Sequence, residues 1–163
     1  MTNRLLYLHG LDSLLQDDRR AVLQTYGMVE GPTIDYKNTP NLFQKLQQNY
    51  ADIEAIIGSS AGGLVAYYLA QYLQKPCLLF NPALTFRTEM PIPTAFNKNY
   101  KEYMQIVVGG QDKIISAWES IEIIKEDISE NQNINIHFTN TMQHSYDIDI
   151  FRKEVEFFFT QIR

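Results

Sequence analysis

Ile56-Ile57-Gly58-Ser59-Ser60-Ala61-Gly62-Gly63 reads as a β-strand that enters a tight turn and continues as a helix, with Gly-x-Ser-x-Gly centred on Ser60. A serine at such a turn has its hydroxyl pushed out of the sheet, and the residues two positions away must be small for strand and helix to approach. Gly58 and Gly62 meet that need. Centring the motif on Ser59 would put Ile57 and Ala61 at the close-contact positions, so Ser60 is the candidate nucleophile.

Outward from this turn, short apolar runs alternate with helical patterns. Leu5 to Leu8, Thr33 to Tyr36, Ile53 to Ile57, Cys77 to Phe80, Met104 to Val108 and Ile134 to Phe138 are the expected strands. Strands alternating with helices predict an α/β fold, a mostly parallel sheet with helices on both faces. Thr39-Pro40 predicts a helix start, with Leu42, Phe43, Leu46 and Tyr50 on one face, and Ser116 to Glu119 a capping box. The last helix carries Ile148, Phe151, Val155, Phe158, Phe159 and Ile162 at helical spacing, a core stripe with Asp147 and Asp149 at its start. Residues 1–163 are expected to form one domain. The segment 82–103 breaks the alternation: Pro91 and Pro93 punctuate it where a crossover helix is due, and it is a candidate lid.

A formal net charge of -5 without a Lys/Arg cluster argues against nucleic acid or an anionic membrane as partner and favours a small molecule. The single Cys77 lies in an apolar run and reads as a buried thiol. With no secretory or membrane-spanning run after Met1, a cytoplasmic location is expected. No pair of histidines has metal-ligand spacing, so no metal or cofactor is expected, and composition leaves the oligomeric state open.

A serine nucleophile needs a base in hydrogen-bond reach and a group that orients the base. Of the three histidines, His137 lies within a strand, His9 precedes Gly10 at the end of the first strand, and His144 sits in the loop before the last helix. That loop lies at the carboxyl edge of the sheet, where ligands gather in α/β folds, so His144 is the candidate base. Asp112 follows Val107-Val108-Gly109-Gly110-Gln111 just past a strand and falls between Ser60 and His144 in chain order, which makes it the candidate acid. The backbone N–H groups of Ala61 and Leu11 are the candidate oxyanion donors. His9 and Gly10, with Met90, Ile92 and Phe96 of the irregular segment, are candidate substrate-facing residues, although the His9 side chain itself reads best as a satisfied histidine beneath the turn.

Tyr7-Leu8-His9-Gly10-Leu11-Asp12-Ser13, the Ser60 turn, Phe80-Asn81-Pro82-Ala83, Gly109-Gly110-Gln111-Asp112 and Gln143-His144-Ser145 together resemble the α/β-hydrolase superfamily, and within it the small bacterial esterases of the YqiA type. The resemblance implies a minimal hydrolase sheet and a Ser60, Asp112, His144 triad acting on short acyl esters or thioesters. Two alternatives use the same residues or the same pocket: acyl transfer to an acceptor other than water, and a non-catalytic binding module on a hydrolase scaffold.

Overall fold

Leu5-Leu6-Tyr7-Leu8, Ile56-Ile57 and Cys77-Leu78-Leu79-Phe80 are apolar at successive positions, the pattern of strands covered on both faces. In the computed structural model, which describes residues 3–163, they belong to one six-stranded, all-parallel sheet. The strands are β1 (Arg4–Leu8), β2 (Met28–Glu30), β3 (Ala55–Ser59), β4 (Cys77–Phe80), β5 (Met104–Gly109) and β6 (Ile134–Thr139), in the order β2-β1-β3-β4-β5-β6. The helices are α1 (Asp17–Gln24), α2 (Leu42–Asn49), α3 (Ala61–Leu73), α4 (Ala117–Asp127) and α5 (Ile148–Ile162). Successive side chains of a strand point to opposite faces, and two core layers follow. Leu6, Leu8, Ile56 and Leu79 pack with α2, α3 and α4, whereas Leu5, Tyr7, Ile57, Leu78 and Phe80 pack with α1 and α5. Among the described residues no helix is long and apolar enough to cross a membrane.

The second strand is not at Thr33–Tyr36 but at Met28–Glu30, where three residues pair with Arg4, Leu5 and Leu6. An edge strand this short needs no long apolar run, so it leaves little trace in sequence. The apolar residues after it serve a loop. Ile34 N–H donates to His9 Nε2 at 2.7 Å, and the buried Tyr36 hydroxyl donates to the His9 carbonyl at 2.6 Å.

Thr39-Pro40 does not open a helix either. Asp35 organises a turn by accepting from Lys37 and Asn38 N–H, the Thr39 hydroxyl donates to the Asp35 carbonyl, and α2 begins at Leu42 after Asn41 in the left-handed region, φ 54°. The predicted face is kept: Leu42, Phe43 and Leu46 are buried. One arm of the Ser116 capping box forms, with Glu119 N–H donating to Ser116 Oγ at 3.3 Å. Asp147 caps α5 by accepting from Asp149 and Ile150 N–H.

Between β4 and β5 the chain makes a 3-10 helix over Leu84–Glu89 and then runs irregularly to a fully buried Tyr100. Ile92 and Phe96 pack on the α3 side of the core, the Phe96 ring centroid 5.6 Å from that of Tyr67. Asn97 N–H donates to the buried Gln71 Oε1 at 2.8 Å, which fastens this half of the segment to α3.

Candidate active site

β1 is followed in sequence by β2 on one side of it and then, after α2, by β3 on the other. The chain therefore changes winding direction between β1 and β3, and at such a switch point the loops leaving the two strands diverge and open a crevice. Those loops are His9-Gly10-Leu11 and Ser59-Ser60-Ala61.

Ser60 has φ 55° and ψ -116°, a conformation that costs a non-glycine residue of order 1–3 kcal/mol and persists only where neighbours fix it. Three backbone bonds do so. Ser60 N–H donates to the Phe80 carbonyl at 3.0 Å, while its carbonyl accepts from Leu64 N–H at 2.9 Å and Ala83 N–H at 3.0 Å. The flanking glycines are needed for space: a Cβ on Gly62 would stand 2.1 Å from the Leu8 carbonyl oxygen, and one on Gly58 2.6 Å from that of Gly62. Ala61 is the first residue of α3, so its N–H has no acceptor within the helix. Gly10 lies across the crevice, where an added Cβ would meet Ser60 Cβ at 3.5 Å.

His144 Nδ1 lies 2.7 Å from Asp112 Oδ2, on a carboxylate that is fully buried. The other oxygen, Oδ1, accepts from Ile114 and Ile115 N–H, both at 2.8 Å. Asp112 is thus a turn former and a histidine partner at once. Gly109 and Gly110 are there for close approach, not for positive φ: added Cβ atoms would stand 2.4 Å from the Met142 carbonyl oxygen and 2.8 Å from that of Asn140. With Nδ1 on the carboxylate, Nε2 is the ring nitrogen free for the cavity. Ser60 and His144 both line that cavity, of about 1010 Å³, but no hydrogen bond joins Ser60 Oγ to the imidazole in this conformation.

Gly10, Leu11, Ala61 and Met90 also line the cavity. His9, Ile92 and Phe96 do not. His9 is 1% exposed, with Nδ1 2.5 Å from the Gly10 carbonyl oxygen and Nε2 accepting from Ile34, so its ring braces the β1 loop from below. Ile92 and Phe96 are turned toward α3 by the core contacts described above. His137 pairs with the buried Glu154 at 2.6 Å, away from the crevice.

Three residues that sequence reasoning missed complete the surroundings. Asn81, 2% exposed and at φ 41°, accepts from Gly109 N–H at 2.9 Å and donates to the carbonyls of Gln143 at 3.0 Å and His144 at 3.1 Å. One side chain therefore ties the end of β4 to the acid-bearing and histidine-bearing loops. The Tyr146 hydroxyl lies 2.9 Å from Ser59 Oγ, and its ring stacks on Phe80 at 4.7 Å. Burial pushes the Tyr146 phenol above its ordinary range, so it stays protonated and able to donate. Arg19 of α1 reaches the same wall, its guanidinium 5.0 Å from the Tyr146 ring centroid.

A family model described as "Uncharacterised protein family (UPF0227)" matches residues 4–133, a span that includes Ser60 and Asp112 and stops short of His144. No curated relative matches the chain in sequence. Solved structures do match in fold. The chain is similar to alpha/beta hydrolase domain-containing protein 10 from mouse, at 11% identity and TM-score 0.72, covering 100% of this chain and 92% of that one. It is similar to Est1E from Butyrivibrio proteoclasticus, at 17% identity and TM-score 0.71 over 98% and 88% of the two chains. A monoacylglycerol lipase from Paleococcus ferrophilus matches at 13% identity and TM-score 0.70, over 96% and 94%. The fold is that of the α/β hydrolases.

Proposed function

The chain belongs to the UPF0227 family, and from that premise and its α/β-hydrolase fold we propose that it is a serine hydrolase cleaving short-chain carboxylic esters or thioesters through an acyl-enzyme on Ser60. The observation that carries this reading is a serine held at positive φ in the same cavity as a histidine whose Nδ1 is bound to a buried carboxylate. That combination serves nucleophilic acyl transfer and has little structural purpose otherwise, since the strain at Ser60 must be offset elsewhere. The monoacylglycerol lipase among the similar folds agrees with ester chemistry.

In the proposed cycle, rotation of the Ser60 side chain brings Oγ onto His144 Nε2, as contacts of this kind often close only with substrate present. Ser60 attacks the acyl carbonyl as His144 takes its proton, and Asp112 holds the ring and stabilises the imidazolium. The N–H groups of Ala61 and Leu11 meet the oxyanion. Removing one such donor costs about 10²–10³ in rate. Collapse of the tetrahedral intermediate returns the proton from His144 to the departing alcohol or thiol, and water repeats the sequence to release the acid. Ala83, Phe86, Met90 and Pro91 form the wall that would hold the acyl chain.

The open Ser60–His144 contact favours a second reading, in which the pocket binds an acyl compound without cleaving it. Turnover of a short p-nitrophenyl ester by the wild type and by Ser60→Ala decides between them. The serine-hydrolase reading expects loss of turnover by about 10⁶-fold. Equal hydrolysis by both proteins overturns it, and absence of hydrolysis in both supports the binder.

A further inference from the structure

Arg19 stands apart from most of the chain's other arginines. Arg4, Arg87, Arg152 and Arg163 each have a carboxylate oxygen within 3.6 Å, whereas the nearest to Arg19 is Asp18 Oδ1 at 4.0 Å, on a side chain that is 54% exposed. Its own side chain is only 14% exposed and lies between the cavity and the aromatic layer, 5.0 Å from the Tyr146 ring centroid and 5.5 Å from that of Phe151.

A guanidinium has five N–H donors. Here Nη2 donates to the Tyr146 carbonyl at 2.7 Å and Nη1 to Gln16 Oε1, which leaves donors without a protein acceptor on a group that lines the cavity. The lining also carries one further cation, Lys37, and one carboxylate, Glu89, both exposed, so Arg19 and Lys37 outnumber the acid. The ring that supports Arg19 is the one whose hydroxyl touches Ser59, so the cation stands one aromatic side chain away from the elbow. The chain as a whole carries a net charge of -5 and repels anions, so a positive charge retained in the cavity acts locally. A planar fork of donors matches a carboxylate bidentately and is worth more in a partly desolvated site than at an open surface.

Building on the serine-hydrolase reading, we infer that the cavity accepts esters that carry a free carboxylate, received by Arg19 while the scissile carbonyl lies at Ser60. The carboxylate can belong to the acyl part, as in a dicarboxylic acid half-ester, or to the leaving alcohol. Arg19 binds and orients; it takes no part in bond making.

Two substrate pairs test this, each comparing a carboxylate with its methyl ester. Mono-p-nitrophenyl adipate against methyl p-nitrophenyl adipate puts the charge on the acyl side, and 4-acetoxybenzoate against methyl 4-acetoxybenzoate puts it on the leaving group. The readout is the anionic-to-neutral ratio of kcat/KM in wild type, in Arg19→Gln and in Arg19→Lys, corrected for spontaneous hydrolysis. A ratio that falls about tenfold or more in Arg19→Gln, mainly through KM, and is partly kept in Arg19→Lys, supports the inference and shows which end carries the charge. Because each ratio is taken within one protein, a general loss of folded enzyme divides out. Ratios unaffected by Arg19→Gln in both pairs overturn the inference, while turnover of the neutral esters would leave the serine-hydrolase reading standing.

Discussion

Replacing Asn81 by Ala is expected to unlatch both loops of the candidate site in one step. The side chain accepts from Gly109 N–H and donates to the Gln143 and His144 carbonyls, all while 2% exposed. Leaving a buried N–H without an acceptor costs about 1–3 kcal/mol. At φ 41°, alanine adds about 1–2 kcal/mol of backbone strain that asparagine largely escapes. The expected destabilisation is about 3 kcal/mol, a fall in Tm of roughly 6–12 °C at this chain length. Asn81→Gly should recover the strain and not the hydrogen bonds, and so fall between the two. Urea unfolding followed by circular dichroism gives the free energies, and the rate of fluorophosphonate labelling reports whether the His144 loop has lost its register. Asn81→Ala within about 0.5 kcal/mol of wild type, with labelling unchanged, would refute the reasoning, since surface-like tolerance has that size.

Gly62→Ala should be far worse for stability than Gly10→Ala, because the first places Cβ 2.1 Å from a backbone oxygen of β1 and the second only 3.5 Å from Ser60 Cβ. A cost on the order of 3 kcal/mol or more against less than about 1 is expected from chemical denaturation, and equal midpoints would contradict it. Alkaline pH should unfold the protein steeply. Burial raises the phenols of Tyr7, Tyr36, Tyr67 and Tyr100, so the folded state keeps protons that the unfolded chain releases above its ordinary phenol range near pH 10. The stability is present below about pH 10 and lost above it; at pH 11 the four groups remove about 5–6 kcal/mol, comparable with the total for an ordinary domain. Urea midpoints that stay level between pH 8 and pH 11 would contradict this.

Much of the scaffold could be read from sequence because its signals are local and redundant. Cys77–Phe80 is a strand at the predicted bounds, the α5 stripe is buried at Phe151, Val155, Phe158 and Phe159, and Asp147 caps that helix. The Ser60 turn announced itself through glycines whose space requirement is a matter of a few bonds. What escaped depends on tertiary contact. Met28–Glu30 is a strand only because β1 offers it an edge. Ile92 and Phe96 look like pocket residues until Tyr67 and Gln71 claim the segment. Asn81 was part of a matching motif, but its bonds to residues 109, 143 and 144 have no local signature. Arg19 lies in the polar run Gln16-Asp17-Asp18-Arg19-Arg20, which carries no motif, and its place beside Tyr146 and the cavity comes from contacts 127 residues apart in the chain.

The most direct test of Ser60 as a nucleophile served by His144 is covalent capture. Intact-mass and peptide-level mass spectrometry after fluorophosphonate treatment should show a single adduct on Ser60, absent from Ser60→Ala and formed far more slowly in His144→Ala. An unmodified protein across the pH range, or an adduct on another residue with Ser60 untouched, would contradict the account.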